Sequence, residues 1–328
     1  MKFLIIRFSS IGDIVLTTPV VRCLKQQIPT AEVHYLSKAS FRSILDPNPY
    51  IDKAYYVQND ISEVYAELQA EDYDYVIDLH HNLRTLRVKR KLGKQSFSFP
   101  KLNWEKWLFT NFKINRLPAT HIVERYMETV QSFGVRYDGK GLDHFIPEEQ
   151  KVQESDIPTS HHAGYIGIVI GAALGTKRMP VEKLKELVGL IPYPVILLGG
   201  KEDQPAGEQI AAMDPLRIYN SCGKFKLNES ADLVRRSRLI ITHDTGLMHI
   251  AAAFNKPIIS IWGNTVPAFG MYPFYANTSV REERMEVEGL KCRPCSKIGY
   301  ERCPKGHFKC MQQIDLDVLA QKVQEMFR

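Results

Sequence analysis

No apolar run in this chain approaches the ~18–20 residues of a membrane-spanning helix, which argues against a helical membrane span. The first residues do not resemble a secretory leader: Met1-Lys2 leads straight into a strand-like run that breaks at Arg7, with no small-residue cleavage site after it. The chain is therefore expected to be cytoplasmic. Strong charge of one sign is absent. The 43 Lys and Arg stand against 37 Asp and Glu, a formal net charge of +6, which favours anionic partners and does not point to nucleic acid. Neither common phosphate-binding signature occurs. There is no G-x-x-x-x-G-K-[ST] spacing, and Gly12 belongs to no G-x-G-x-x-G fingerprint. Low-complexity tracts and evident sequence repeats are lacking as well.

What is present has the composition of a soluble globular protein, 44% hydrophobic and 24% charged, over 328 residues that suit two domains. The first half alternates strand-like segments (residues 3–6, 32–36, 54–57 and 75–79) with helix-like ones (14–25 and 61–68). A polar stretch over 147–162, with Glu148, Glu149, Gln150, Lys151, Pro158 and His161-His162, reads as a linker. The rhythm then restarts, with strands at 165–170, 195–198, 217–219, 239–241 and 257–261. Helices are read at 181–190, 204–213, 230–236 and 247–254, and a last amphipathic one at 315–327. This βαβ alternation implies an α/β class of two doubly wound, Rossmann-like parallel sheets. Domains at 1–155 and 156–314 follow, with ligand sites at the strand C-terminal ends and a cleft as the default active site.

Two turns carry the chemistry. Arg7-Phe8-Ser9-Ser10-Ile11-Gly12-Asp13 follows the first strand, and His243-Asp244-Thr245-Gly246-Leu247-Met248-His249 follows strand 239–241. Each reads as strand, small polar turn, helix, which presents N–H groups where anions bind. Asp13 is either a helix N-cap or a general base that removes a proton from an acceptor hydroxyl. A helix N-terminus lowers a carboxylate's basicity, so such a base works when the proton leaves late, as the nucleophile attacks. Asp244, Thr245 and Gly246 offer hydroxyl and N–H donors suited to a diphosphate. His249 is either a ligand contact or a buried histidine bonded to backbone. The loop Gly171-Ala172-Ala173-Leu174-Gly175-Thr176-Lys177-Arg178 allows close backbone approach, and Lys177 can neutralise phosphate charge; an ordinary strand-to-helix loop explains it equally. Gly199-Gly200 divides the same way between ligand approach and a tight turn. Asp78-Leu79-His80-His81-Asn82-Leu83-Arg84 sets sugar-compatible groups, notably His80, Asn82 and Arg84, at the end of strand 75–79.

Two further clusters leave alternatives open. Arg87, Lys89, Arg90, Lys91, Lys94 and Lys101 are interleaved with or followed by Phe97, Phe99, Trp104, Trp107, Phe109 and Phe112. That mixture suits an anionic membrane surface or glycolipid, or a solvated and partly buried helix. Cys292, Cys295, Cys303 and Cys310 form C-x2-C-x7-C-x6-C with His307 inside. Zinc ligation and reduced, partly buried thiols are the two readings; disulfides are not expected in a reducing compartment. Cys23 and Cys222 read as packing residues.

With these residues in view, the chain resembles glycosyltransferase family 9, the bacterial lipopolysaccharide heptosyltransferases. The resemblance rests on Ile5-Ile6-Arg7-Phe8-Ser9-Ser10-Ile11-Gly12-Asp13-Ile14 and on Asp244-Thr245-Gly246-Leu247-Met248-His249-Ile250-Ala251. Weaker matches are Asp78-Leu79-His80-His81-Asn82-Leu83-Arg84, Thr176-Lys177-Arg178-Met179-Pro180, Leu198-Gly199-Gly200 and Trp262-Gly263-Asn264-Thr265. It implies a GT-B fold whose C-terminal helix, 315–328, returns to the N-terminal domain. It also implies inverting transfer of a heptose from ADP-heptose to the anionic lipopolysaccharide inner core, with no metal or other cofactor required. By position, Asp13 matches the catalytic base, with Ser9, Ser10 and Gly12 shaping its loop. Lys177, Asp244, Thr245, Gly246 and His249 match the donor-binding residues. Met179, His243 and His81 depart from the pattern, the last standing where glycine is frequent. Alternatives are a family member using another nucleotide sugar, a non-catalytic nucleotide-sugar or glycan-binding protein, and a two-domain nucleotide-sugar epimerase. Loss of the base would mark the binding protein, and Asp13 is present.

Overall fold

Runs of Val, Ile and Leu have no polar face to offer water, so they settle inside parallel sheets covered by helices on both sides. The computed structural model describes residues 1–276 and 279–327. These form two units, each built on one parallel sheet.

The first unit comprises Met1–Lys101 and Thr120–Phe145. Its elements run β1 (Lys2–Ile6), α1 (Ile11–Val15), α2 (Thr18–Gln27), β2 (Glu32–Lys38), α3 (Arg42–Leu45), β3 (Lys53–Val57), α4 (Tyr65–Ala70), β4 (Tyr75–Asp78), α5 (Leu83–Leu92) and β5 (Gln95–Ser98). The chain then leaves for α6 (Asn103–Phe112), which belongs to the second unit, and returns with α7 (Ile122–Met127). The sheet order is β3-β2-β1-β4-β5. Leu4 and Ile6 of the central strand pack with Leu36, Tyr55, Val57, Leu68 and Val88. On the opposite face Phe3 meets Phe133 edge-on at 5.1 Å. Strand order reverses between β1 and β4, and the C-terminal ends of those strands are the usual ligand position in such sheets.

The second unit comprises Leu102–Ala119 and the chain from Ile146 onward. It contains β6 (Ile166–Val169), α8 (Val181–Leu190), β7 (Val195–Leu198), α9 (Gln204–Ala211), β8 (Ile218–Asn220), α10 (Leu227–Arg236), β9 (Leu239–His243), α11 (Gly246–Ala253), β10 (Ile258–Trp262), β11 (Glu282–Glu286), α12 (Lys309–Gln312) and α13 (Leu316–Phe327). The order β11-β10-β9-β6-β7-β8 reverses between β6 and β9.

Four expectations change. The helix read at 14–25 is two helices, α1 and α2, broken at Leu16–Thr17, where the Thr17 hydroxyl donates to the Ile14 carbonyl at 2.7 Å. Pro19 lies in the first turn of α2, where its missing N–H costs nothing. The stretch 147–162 is not a free linker: Val152 donates its N–H to Asp232 at 3.1 Å, and Val152 and Ile157 are buried. The units therefore divide after Phe145. β5 and β11 went unread because each is a mostly polar strand at a sheet edge. Finally, the last helix does not join the N-terminal domain. Leu319, Val323 and Met326 of α13 enter the core formed by Ile166, Leu187, Val188 and Leu239, and Phe327 packs on Tyr193 at 4.1 Å. An apolar stripe specifies that a helix docks, not on which sheet.

Candidate active-site residues

The loop between β1 and α1 reaches the first reversal point. Ser10 and Asp13 occupy the N-cap and N3 positions of α1, and the Asp13 Oδ2 accepts both the Ser10 N–H at 3.0 Å and the Ser10 hydroxyl at 2.7 Å. Its Oδ1 faces the Arg7 Nη2 at 2.5 Å. The same guanidinium donates to the Ser9 carbonyl at 2.8 Å, the Leu79 carbonyl at 2.5 Å and the Tyr126 hydroxyl at 3.0 Å. Burial disfavours the Arg7 charge, yet Asp13, with Tyr126 and Tyr35, more than restores it and raises its pKa. The N-cap is therefore Ser10 and not Asp13, which serves as the N3 partner of the capping box and as an oriented carboxylate. Gly12 is buried inside α1, and Ser9 supplies its carbonyl to the arginine.

The loop after β4 approaches from the other side of the reversal. Asp78 is fully buried and accepts the N–H groups of His80 at 3.1 Å and His81 at 2.6 Å, while the Lys89 Nζ lies 2.9 Å away. Burial pushes the Asp78 pKa up, but Lys89 and the His81 N–H outweigh it and hold it below the ordinary range. Of the expected acceptor-side residues, Asn82 is spent as the N-cap of α5, accepting the Thr85 N–H at 2.9 Å. His80 packs edge-on to Phe8 at 5.6 Å with its Nδ1 unpartnered, and burial, Arg7 and Lys101 push its pKa down to about 4. Arg84 is exposed, its guanidinium 5.4 Å from the Phe8 ring centroid. His81 has φ +51 and so needs the left-handed conformation that glycine adopts freely, which accounts for the frequent glycine at its position.

The second reversal point gathers the other set. Lys177 lies with its Nζ 2.6 Å from the Asp244 Oδ2, and the Thr265 hydroxyl donates to that same oxygen at 3.0 Å. Thr245 is the N-cap of α11, Gly246 its first residue, and His249 is buried in the first turn. The Thr245 and Thr242 hydroxyls lie 3.2 Å apart. Two of the departures from the family pattern touch each other here: Met179 donates its N–H to the His243 Nε2 at 3.0 Å. Burial, with Arg178, pushes the His243 pKa down to about 4, so this histidine is a neutral acceptor at neutral pH. Gly171 fits because a Cβ there would lie 2.0 Å from the Asp203 carboxylate.

Sequence reasoning gave no role to the residues that brace these loops. Arg293, between Cys292 and Cys295, donates to the carbonyls of Gly263 and of Thr265 (3.0 Å) and pairs with Glu286 at 2.6 Å. Tyr300 and Thr176 exchange backbone and hydroxyl hydrogen bonds of 2.8–2.9 Å. The cysteine segment therefore clamps the residue before Lys177 and the Thr265 loop alike. Its thiols are free, and Cys292 lies 3.9 Å from the His307 ring. Burial, then the neighbouring thiols Cys295, Cys303 and Cys292, raise the Cys310 pKa, so the four cysteines share one neighbourhood. Among the described residues, the one triad of metal-capable groups within 4.8 Å of one another is Glu32, His34 and Glu71, which Lys2 and Lys53 already neutralise. Arg7 and Arg293 could have been found from one signal, an arginine inside a motif of small or apolar residues, which must pair when buried.

Two doubly wound parallel units, one with an oriented carboxylate at its reversal point and the other with a lysine and hydroxyls at a helix N-terminus, have the architecture of a GT-B glycosyltransferase. The chain belongs to glycosyltransferase family 9 (heptosyltransferase), whose model matches residues 61–298. It is 26% identical to the lipooligosaccharide heptosyltransferase 2 of Haemophilus influenzae, over 99% of both chains. Among solved structures it resembles a family 9 glycosyltransferase from Veillonella parvula (TM-score 0.77, 24% identity, 99% and 97% of the two chains). It also resembles the E. coli ADP-heptose lipopolysaccharide heptosyltransferase II (TM-score 0.72, 20% identity, 100% and 98%).

Proposed function

We propose that this enzyme transfers heptose, with inversion, from ADP-heptose to the inner core of lipopolysaccharide, at the cytoplasmic face of the inner membrane. The observation that carries the donor half is the convergence of Lys177 and Thr265 on Asp244 beside the first turn of α11. A diphosphate at that helix N-terminus meets free N–H groups and draws the Lys177 ammonium from Asp244. The relative from E. coli, named for ADP-heptose, supports the choice of donor.

The first unit supplies the base. Asp13 takes the proton of the acceptor hydroxyl as its oxygen attacks the anomeric carbon, opposite the departing ADP. The bond from that carbon to the phosphate oxygen breaks with its electron pair remaining on ADP, which gives a single inversion. Lys177 and the α11 N–H groups stabilise charge that grows on the leaving group, so they act more strongly in the transition state than before it. Arg84 and His80 remain to contact the acceptor. No metal enters this scheme, so turnover is expected to persist in EDTA.

Calorimetry with ADP, UDP and GDP tests the donor site. ADP should bind selectively, and Lys177→Ala should weaken it; preference for UDP or GDP overturns the donor assignment. Asp13→Ala should lower kcat by about 10²–10⁴ while donor affinity is retained. Near-normal turnover in that variant removes Asp13 from the role of base.

A further inference from the structure

The basic and aromatic segment after β5 divides into two parts with different fates. On α5, Lys89 is committed to Asp78 and Ser98, Arg84 lies over the buried Phe8 ring, and the helix carries no aromatic residue of its own. On α6 the reverse holds. None of its residues is buried. Trp104 is 63% exposed, Trp107 45%, Phe112 58% and the following Ile114 47%. Trp104 and Trp107 stack with centroids 4.9 Å apart, and Phe112 meets Trp107 edge-on at 5.2 Å.

The helix is nonetheless fixed in its own unit. Phe109 packs edge-on to Phe269 at 6.0 Å, and the Lys113 Nζ donates to the Pro294 carbonyl at 2.7 Å. Phe109 marks the docked face of the helix, and Lys113 caps its end, so the opposite face carries Trp104 and Trp107. At its start the Lys297 Nζ lies 3.5 Å from the Asn103 Oδ1, which brings exposed Ile298 (62%) and Tyr300 (42%) beside the same patch. Between residues 102 and 116 stand Lys106, Arg116 and the docked Lys113 against one carboxylate, Glu105, and Lys297 adds a further cation beside Asn103.

We infer that α6, the chain following it to Arg116 and the turn at 297–300 form the surface by which this enzyme lies on an anionic phospholipid membrane. The inference rests on the reading that the acceptor is lipid-linked. Indole rings carry an apolar body and a polar N–H, the combination that partitions to the headgroup level, and flanking lysines add attraction to anionic lipid. A second copy of this chain is the poorer occupant, because two patches of like charge repel across a symmetric contact. Among the described residues no helix is long and apolar enough to cross a membrane, so the contact is superficial.

Flotation of the full chain with phosphatidylglycerol–phosphatidylethanolamine vesicles tests this, beside tryptophan emission. The third tryptophan, Trp262, is 1% exposed, so a vesicle-induced blue shift reports on Trp104 and Trp107. The wild type should float and shift, bind phosphatidylcholine vesicles weakly, and release in high salt. The Trp104→Ser, Trp107→Ser double variant should lose at least about tenfold in partition. Its turnover of ADP-heptose on a delipidated core oligosaccharide should stay unchanged. Failure of the wild type to float, an unshifted emission, or a double variant that floats normally overturns the surface. So does flotation only with vesicles that carry lipopolysaccharide, which would make the acceptor the occupant. Flotation without ADP-heptose turnover leaves the surface standing and overturns the donor reading instead.

Discussion

Arg7 joins more of the first site than any other side chain. It meets the candidate base, the Ser9 carbonyl in the base's own loop, the Leu79 carbonyl at the end of β4 and the Tyr126 hydroxyl on α7. It is 7% exposed, so its charge is sustained by these partners and not by water. Arg7 touches no substrate in the mechanism above; it is a positioning residue for Asp13. Arg7→Met should lower kcat by about 10²-fold, the cost of a misplaced catalytic group, with the KM for donor nearly unchanged. Arg7→Lys should recover part of kcat, since it keeps the charge but not the planar fork. Equal loss of donor affinity and kcat in Arg7→Met, at retained fold by circular dichroism, would reassign Arg7 to general structure. Asp13 itself was legible in the sequence because a lone carboxylate in a small-residue turn has few duties. Arg7 was quoted in the same motif and given none, since a sequence does not show which arginines are buried.

At the scale of elements, legibility followed burial. β6, β7, β9 and β10 are buried throughout and were read nearly to the residue, as was α8. The donor loops followed directly, because β6 and β9 flank the second reversal. The segment that clamps those loops was legible only as a cysteine pattern, and its thiols proved less informative than the arginine between them. Arg293 holds Gly263 and Thr265, and Thr265 holds Asp244. Gly263 is itself confined, as a Cβ there would lie 2.8 Å from the Thr176 carbonyl. Arg293→Ala should therefore release the Thr265 loop and weaken ADP binding by about tenfold, the order of one lost charged hydrogen bond. Cys292→Ser and Cys295→Ser, which leave the guanidinium in place, should bind ADP as the wild type does. Calorimetry on the three variants separates an arginine clamp from a thiol-dependent one; equal losses in all three would favour the thiols.

For the whole molecule, the buried histidines set the response to acid. His80 and His243 are each pushed down to about 4, first by burial and then by neighbouring arginines, and burial also lowers His34 and His161. An unfolded histidine titrates near pH ~6.5, so between that value and about 4 the unfolded chain binds more protons than the folded one. Stability must fall with pH across this window, by up to about 1.4 kcal/mol per pH unit for each fully buried group. His243 is 1% exposed and approaches that limit, whereas partly exposed His80 contributes less. The carboxylates held low by partners, such as Asp78 and Asp138, have the same sign but act only below their unfolded pKa near ~3.9. Asp143 and Asp203, raised by burial, oppose the loss just above it. Thermal unfolding should therefore show a Tm that is flat from pH 8 to 7 and declines from about 6.5 toward 4. His243→Gln keeps an acceptor for the Met179 N–H and removes the titration, so its decline should be shallower than the wild type's. A parallel decline in the two proteins would show that His243 binds its proton as readily in the fold as in the unfolded chain, and that its ring is not held as the buried neutral acceptor seen beside the donor loop.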